Sequence, residues 1–164
     1  MGSFFTEIFE HELLTKAPIV FDWLFDEKKF ESPAWNAKKK AKFTKSLKRL
    51  EGFGKGNFRK SEKMEKYPDV LPECGEQPIP FALFSSSNSV GQDFVRHVRN
   101  AIAHGNAEIR KVKGSYFCEF RDYQAGRKMQ TAYIAIPANY LERIYKSYKD
   151  VEKERDNERP RGNN

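Results

Sequence analysis

Apolar residues recur at helical spacing through the first third of the chain, which predicts three helices. Ser3 can cap a helix reaching about Lys16, with Phe4, Phe5, Ile8, Phe9, Leu13 and Leu14 apolar. Pro18 suits the first turn of a second helix, Ile19 to Lys29, with Ile19, Val20, Trp23, Leu24 and Phe30 apolar. Ser32-Pro33 is another start signal, and that helix runs to about Glu51 with Trp35, Phe43, Leu47 and Leu50 along one stripe. Gly52, Gly54 and Gly56 then break it. Pro68, Pro72, Pro78 and Pro80 forbid a long helix over 52–88, which reads as irregular apart from a short helix near Lys60–Lys66.

The period changes after Asn106. Glu108–Val112, Tyr116–Arg121 and Lys128–Ile136 read as strands, with turns at Lys113-Gly114 and Tyr123–Gly126. Pro137 starts a last helix carrying Tyr140, Leu141, Ile144, Tyr145, Tyr148 and Val151 on one side. The fold class expected is therefore mainly α, a helical bundle with a small antiparallel β meander inserted before the C-terminal helix. Residues 1–154 read as a single domain and 155–164 as a disordered tail.

The composition fits that reading. Of 164 residues, 38% are hydrophobic, 32% charged and 14% aromatic, so the chain can build a core. No apolar run approaches the roughly 20 residues that span a bilayer, and no membrane association is expected. The first residues lack a basic lead, a long apolar stretch and a small-residue cleavage site, so no secretory signal is visible. Cys74 and Cys118 cannot build a disulfide framework or a four-cysteine zinc site. A reduced, cytoplasmic protein with no metal and no cofactor follows. The formal charge is +7, but it is uneven: the balance is −5 over residues 1–27, +10 over 28–66 and +2 over 67–164. A polyanion is the first partner to consider, and the central third is where it should dock. Lys38, Lys42, Lys45, Lys48 and Arg49 are the RNA-binding candidates there, although a lysine-rich helix face is also what a merely solvated helix shows.

The informative segment is Ser89 to Gly105. Ser89 and Gln92 have capping-box spacing, and Gly105 suits a helix stop. Wound at 100° per residue, Asp93, Arg96, His97 and His104 fall within about 60° of Asn100, while Phe94, Val95, Val98, Ala101 and Ile102 fall opposite. Arg99 sits beside the polar stripe. A histidine can exchange a proton near neutral pH, and an arginine can bridge two phosphate oxygens. Together they suit RNA cleavage, the histidine taking the 2′-hydroxyl proton and the arginine stabilising charge on the phosphoryl group. DNA lacks that hydroxyl, so the chemistry selects RNA.

Arg99-Asn100-Ala101-Ile102-Ala103-His104 resembles the Arg, four to six residues, His signature of the HEPN superfamily of ribonucleases, including the Asn after the Arg. The close similarity covers about 17 residues, Ser89 to Gly105. The resemblance implies a small helical bundle and a metal-independent endoribonuclease leaving a 2′,3′-cyclic phosphate. It implies a toxin or antiviral setting, a homodimer with a composite site and a possible antitoxin protein as partner. Arg99 and His104 would be catalytic and Asn100 catalytic or positioning. Arg96 and His97 would contact RNA or line its groove. One branch of the family carries a Tyr two residues after the His; here that residue is Asn106, so control by Tyr modification is not indicated. On a regular helix Arg99 and His104 point about 140° apart, so a long Arg side chain, a frayed helix end or a second subunit must close the gap. The plain alternatives are a polar C-cap for His104 and a surface ion pair for Arg99. Two other functions stay open: a non-catalytic RNA-binding protein, and a module whose motif helix forms a dimer interface.

Overall fold

A computed structural model describes residues 2–53, 56–60, 73–74, 77–124 and 129–155. Among these residues lie five helices, α1 (Gly2–Glu10), α2 (Ala17–Leu24), α3 (Ala37–Lys48), α4 (Val90–Ala103) and α5 (Tyr140–Glu152). The strands are β1 (Phe58–Lys60), β2 (Glu73–Cys74), β3 (Gln77–Pro78), β4 (Phe81–Phe84), β5 (Ala107–Val112), β6 (Ser115–Tyr123) and β7 (Gln130–Pro137). None of the helices is long and apolar enough to cross a membrane.

The fold class differs from the expected mainly α bundle. Five strands form one mixed sheet in the order β1-β4-β7-β6-β5, with β1 parallel to β4 and the other pairs antiparallel. The meander of β5, β6 and β7 is there, but it is the larger part of a sheet that makes this a mixed α/β protein. The error lies in β4. Its sequence, Phe-Ala-Leu-Phe, is a short apolar run after Pro80, with no alternation to mark it. Such a run belongs to a strand covered on both faces, and three of its four residues are buried.

Register sorts the sheet into two faces. Ala82, Phe84, Cys118, Phe120, Ala132, Ile134 and Ile136 join the main core with the helices, where Phe4 of α1 meets Phe120 edge-on at 5.8 Å. Phe81, Phe117, Tyr133 and Ala135 form a smaller cluster on the other face. There the buried Glu119 accepts from the Tyr133 hydroxyl at 2.7 Å and pairs with Arg110 and Arg121.

The helix ends show which signals were decisive. α1 stops at Glu10 rather than Lys16, and Glu12 then turns at φ 49°. α2 ends at Leu24, not Lys29. α3 starts at Ala37 because the Asn36 side chain accepts from the Lys39 amide at 3.0 Å, while Ser32 spends its carbonyl on the Trp35 amide in a turn. Trp35 therefore precedes the helix, stacked 4.4 Å from Tyr148. Lys60 is in β1 rather than in a short helix; residues 61–66 and the tail beyond Arg155 lie outside the described residues.

Candidate functional site

α4 lies across β6 and β7 and packs its first turn against α3. The approach to α3 is close, since a Cβ on Gly91 would stand 2.9 Å from the Phe43 ring. Ser89 is the N-cap, but its side chain makes no capping bond. The Gly91 amide donates instead to Thr44 Oγ1 at 2.9 Å. Asp93 reaches back over the entry loop, accepting from the Ser86 hydroxyl at 2.8 Å, the Ser87 and Asn88 amides at 3.0 Å, and Arg96 Nε at 3.3 Å. Burial alone would raise the Asp93 carboxyl. The Asn88 amide, the Ser86 hydroxyl, the Arg96 charge and the Ser87 amide outweigh it and hold the group below the usual aspartate range.

The far end of the helix closes differently. Gly105 takes φ +76°, its amide donates to Ile102 O at 3.2 Å, and the Asn106 amide donates to Ala101 O at 2.8 Å. These two bonds are the Schellman pattern. They make His104 the C-cap, exposed at the very end of the helix. Among the described residues, no side-chain hydrogen bond or ion pair holds its imidazole.

The motif residues fare as follows. Arg99 is partly exposed and forms an ion pair with Glu27, itself 70% exposed. Asn100 is half-buried and donates from Nδ2 to Asp122 Oδ2 at 3.3 Å. Ideal helix geometry sets Arg99 and His104 about 140° apart around the axis and roughly 7.5 Å apart along it. Arg96 is exposed and shares a cavity wall with Arg99.

His97 does not face a ligand. It is 1% exposed, with Nδ1 2.8 Å from Asp122 Oδ2 and Nε2 2.8 Å from the Ser85 carbonyl. A carbonyl only accepts, so Nε2 carries a proton. Both nitrogens are used inside the protein, and the expectation that His97 contacts RNA gives way to a tie between α4, β6 and the loop after β4. Lys38, Lys42, Lys45 and Lys48 on α3 and Arg49 at its C-cap are all exposed, with Lys42 paired to Glu154. α3 meets α4 at Gly91, and eight residues of helix, about 12 Å, separate that contact from Arg99. The basic face thus neighbours the start of the motif helix rather than its end.

Sequence reasoning missed Asp122 and Glu27. Asp122 continues the inward-facing register of Cys118 and Phe120, so an acid at that position was a usable signal, hidden because the strand was ended at Arg121. Glu27 meets Arg99 across 72 residues, which no local pattern reveals. Burial, chiefly, pushes the Cys118 thiol up, which leaves it inert. Among the described residues no group of three or more His, Cys, Asp or Glu stands ready to hold a metal ion.

The profile of the family described as HEPN pEK499 p136 matches residues 19–159, most of the chain. No curated protein matches the chain, and no solved structure does.

Proposed function

The chain belongs to the HEPN pEK499 p136 family, whose wider group generally consists of ribonucleases, and from that premise we propose that it is a metal-independent endoribonuclease. The observation that carries the reading is at the C-terminal end of α4. There Arg99, Asn100 and His104 reach the surface of a helix whose Asp93 and His97 are committed to the fold. His104 takes the proton of a 2′-hydroxyl, and the freed oxygen attacks the adjacent phosphorus. Arg99 stabilises the added negative charge, and Asn100, steadied by Asp122, orients the phosphate. The bond from phosphorus to the 5′-oxygen breaks and that oxygen takes a proton from water, giving a 2′,3′-cyclic phosphate and a 5′-hydroxyl. Since Arg99 and His104 diverge on one helix, the reading includes a homodimer in which the motifs of two copies face each other. A toxin or antiviral role, with an antitoxin as inhibitor, belongs to the same proposal.

The test is RNA incubated with purified protein in EDTA, followed by analysis of the product ends. Cyclic phosphate ends that vanish in the Arg99→Ala, His104→Ala double variant support the reading. Cleavage surviving in the double variant overturns it. Salt-sensitive RNA binding without cleavage favours the non-catalytic alternative, for which the exposed lysines of α3 speak.

A further inference from the structure

Beside Arg99 lies a cavity of about 320 Å³, inside the roughly 300–1,000 Å³ range of small-ligand pockets. Leu24, Phe30 and Val95, all buried, lie beneath it. Gln92, Arg96 and Arg99 stand along one wall, one helical turn apart each time, and Asn88 joins them from the loop before α4. Lys29 closes the opposite side, its ammonium donating to the carbonyls of Asp26 at 2.7 Å and Leu24 at 3.2 Å. Burial, chiefly, with Arg99 adding repulsion against the pull of Asp26 and Glu27, pushes that ammonium down to about 8. Three cations, Lys29, Arg96 and Arg99, thus line one small cavity, against the two carboxylates Glu27 and Glu31 at its rim. Glu27, mostly in water, is the carboxylate that answers Arg99.

These parts suit one class of ligand. Guanidinium pairs grip phosphate oxygens. Side-chain amides, which both donate and accept, read the edge of a nucleobase. We propose that this cavity takes the nucleotide flanking the scissile phosphate, its base toward Gln92 and Asn88 and its phosphate on Arg96 and Arg99 in place of Glu27. The inference rests on the ribonuclease reading, because Arg99 is common to the cavity and the motif. A strand held at the motif then crosses the cavity mouth, and Glu27 is a counter-ion that the substrate displaces.

The experiment is fluorescence anisotropy of a short, uncleavable 2′-O-methyl RNA with the full chain, alongside cleavage kinetics and cut-site mapping on unmodified RNA. Gln92→Ala weakens binding about fivefold, the loss of one hydrogen bond. It also raises KM more than it lowers kcat and relaxes the base preference at one position beside the cut. Glu27→Gln tightens binding and lowers KM. Both substitutions are at the surface, and unchanged melting temperatures verify their folds. Wild-type affinity and cut-site profile in both variants overturn the proposal while cleavage itself upholds the ribonuclease reading. Binding that depends on Gln92 and Glu27 in a protein that never cuts upholds the cavity and overturns the ribonuclease reading. A mononucleotide that competes as well as the oligonucleotide makes this a free-nucleotide site and overturns the placement of RNA there.

Discussion

The two ends of α4 carry polar side chains on one face, and the fold uses them in opposite ways. At the N-terminal end, Asp93 is fully buried and accepts four hydrogen bonds from its own protein. At the C-terminal end, His104 is exposed, and Arg99 answers to one exposed carboxylate. A polar group whose partners are all internal is part of the scaffold, and one left open is available to a ligand. His97 falls on the scaffold side of that line although it sits one turn from Asn100. The helical wheel put Asp93, His97 and His104 on one stripe with Arg99 beside it, and their partners are what separate scaffold from site.

The sharpest break of this comparison is His104→Ala. Cleavage should fall by about 10²- to 10⁴-fold, the usual worth of a general base. Stability should stay within about 0.5 kcal/mol of wild type, as for exposed positions. Single-turnover cleavage and thermal unfolding of the same preparation check the two halves. A large loss of melting temperature would move His104 to the scaffold.

Asp93→Ala should do the reverse. It strands the Ser87 and Asn88 amides and the Ser86 hydroxyl, at a cost of about 2–4 kcal/mol, while cleavage per folded molecule is kept. Acid adds a second measurement. Because the folded carboxyl is held below the ordinary 3.8, its contribution is complete above that value and disappears as pH falls through the lower folded value. Melting temperature in wild type should therefore drop on acidification below about pH 4 more steeply than in Asp93→Asn, which has no proton to take up there. Equal slopes would mean that Asp93 contributes nothing through its charge.

What the sequence disclosed follows from the range of the interactions. The start and stop of the motif helix are local, so Ser89 and Gly105 marked them correctly, although the capping bond came from Thr44 rather than Ser89. The meander after Asn106 has long strands and a glycine turn at Lys113-Gly114, so it was visible, whereas β1 has three residues and β4 is a four-residue apolar run after Pro80. That is why a sheet protein looked like a bundle. The candidate residues were chosen by their type and spacing. Their supports, Asp122 from 22 residues away and Glu27 from 72, are products of the tertiary fold, and so is the internal use of His97.

Gly105→Ala probes the boundary between scaffold and site with the smallest effect. The residue sits at φ +76°, where alanine is strained, at a cost of about 1 kcal/mol. Relief of that strain loosens the Schellman bonds to Ala101 and Ile102, and these bonds fix His104 at the helix end. The expected outcome is a lowered melting temperature together with a reduced kcat at temperatures well below unfolding, with KM unchanged. Scaffold strain alone would lower the melting temperature and leave kcat intact. A loss of kcat in the folded protein means that the cap is built to present the imidazole, so that the turn which ends the helix is also what aims its reactive end.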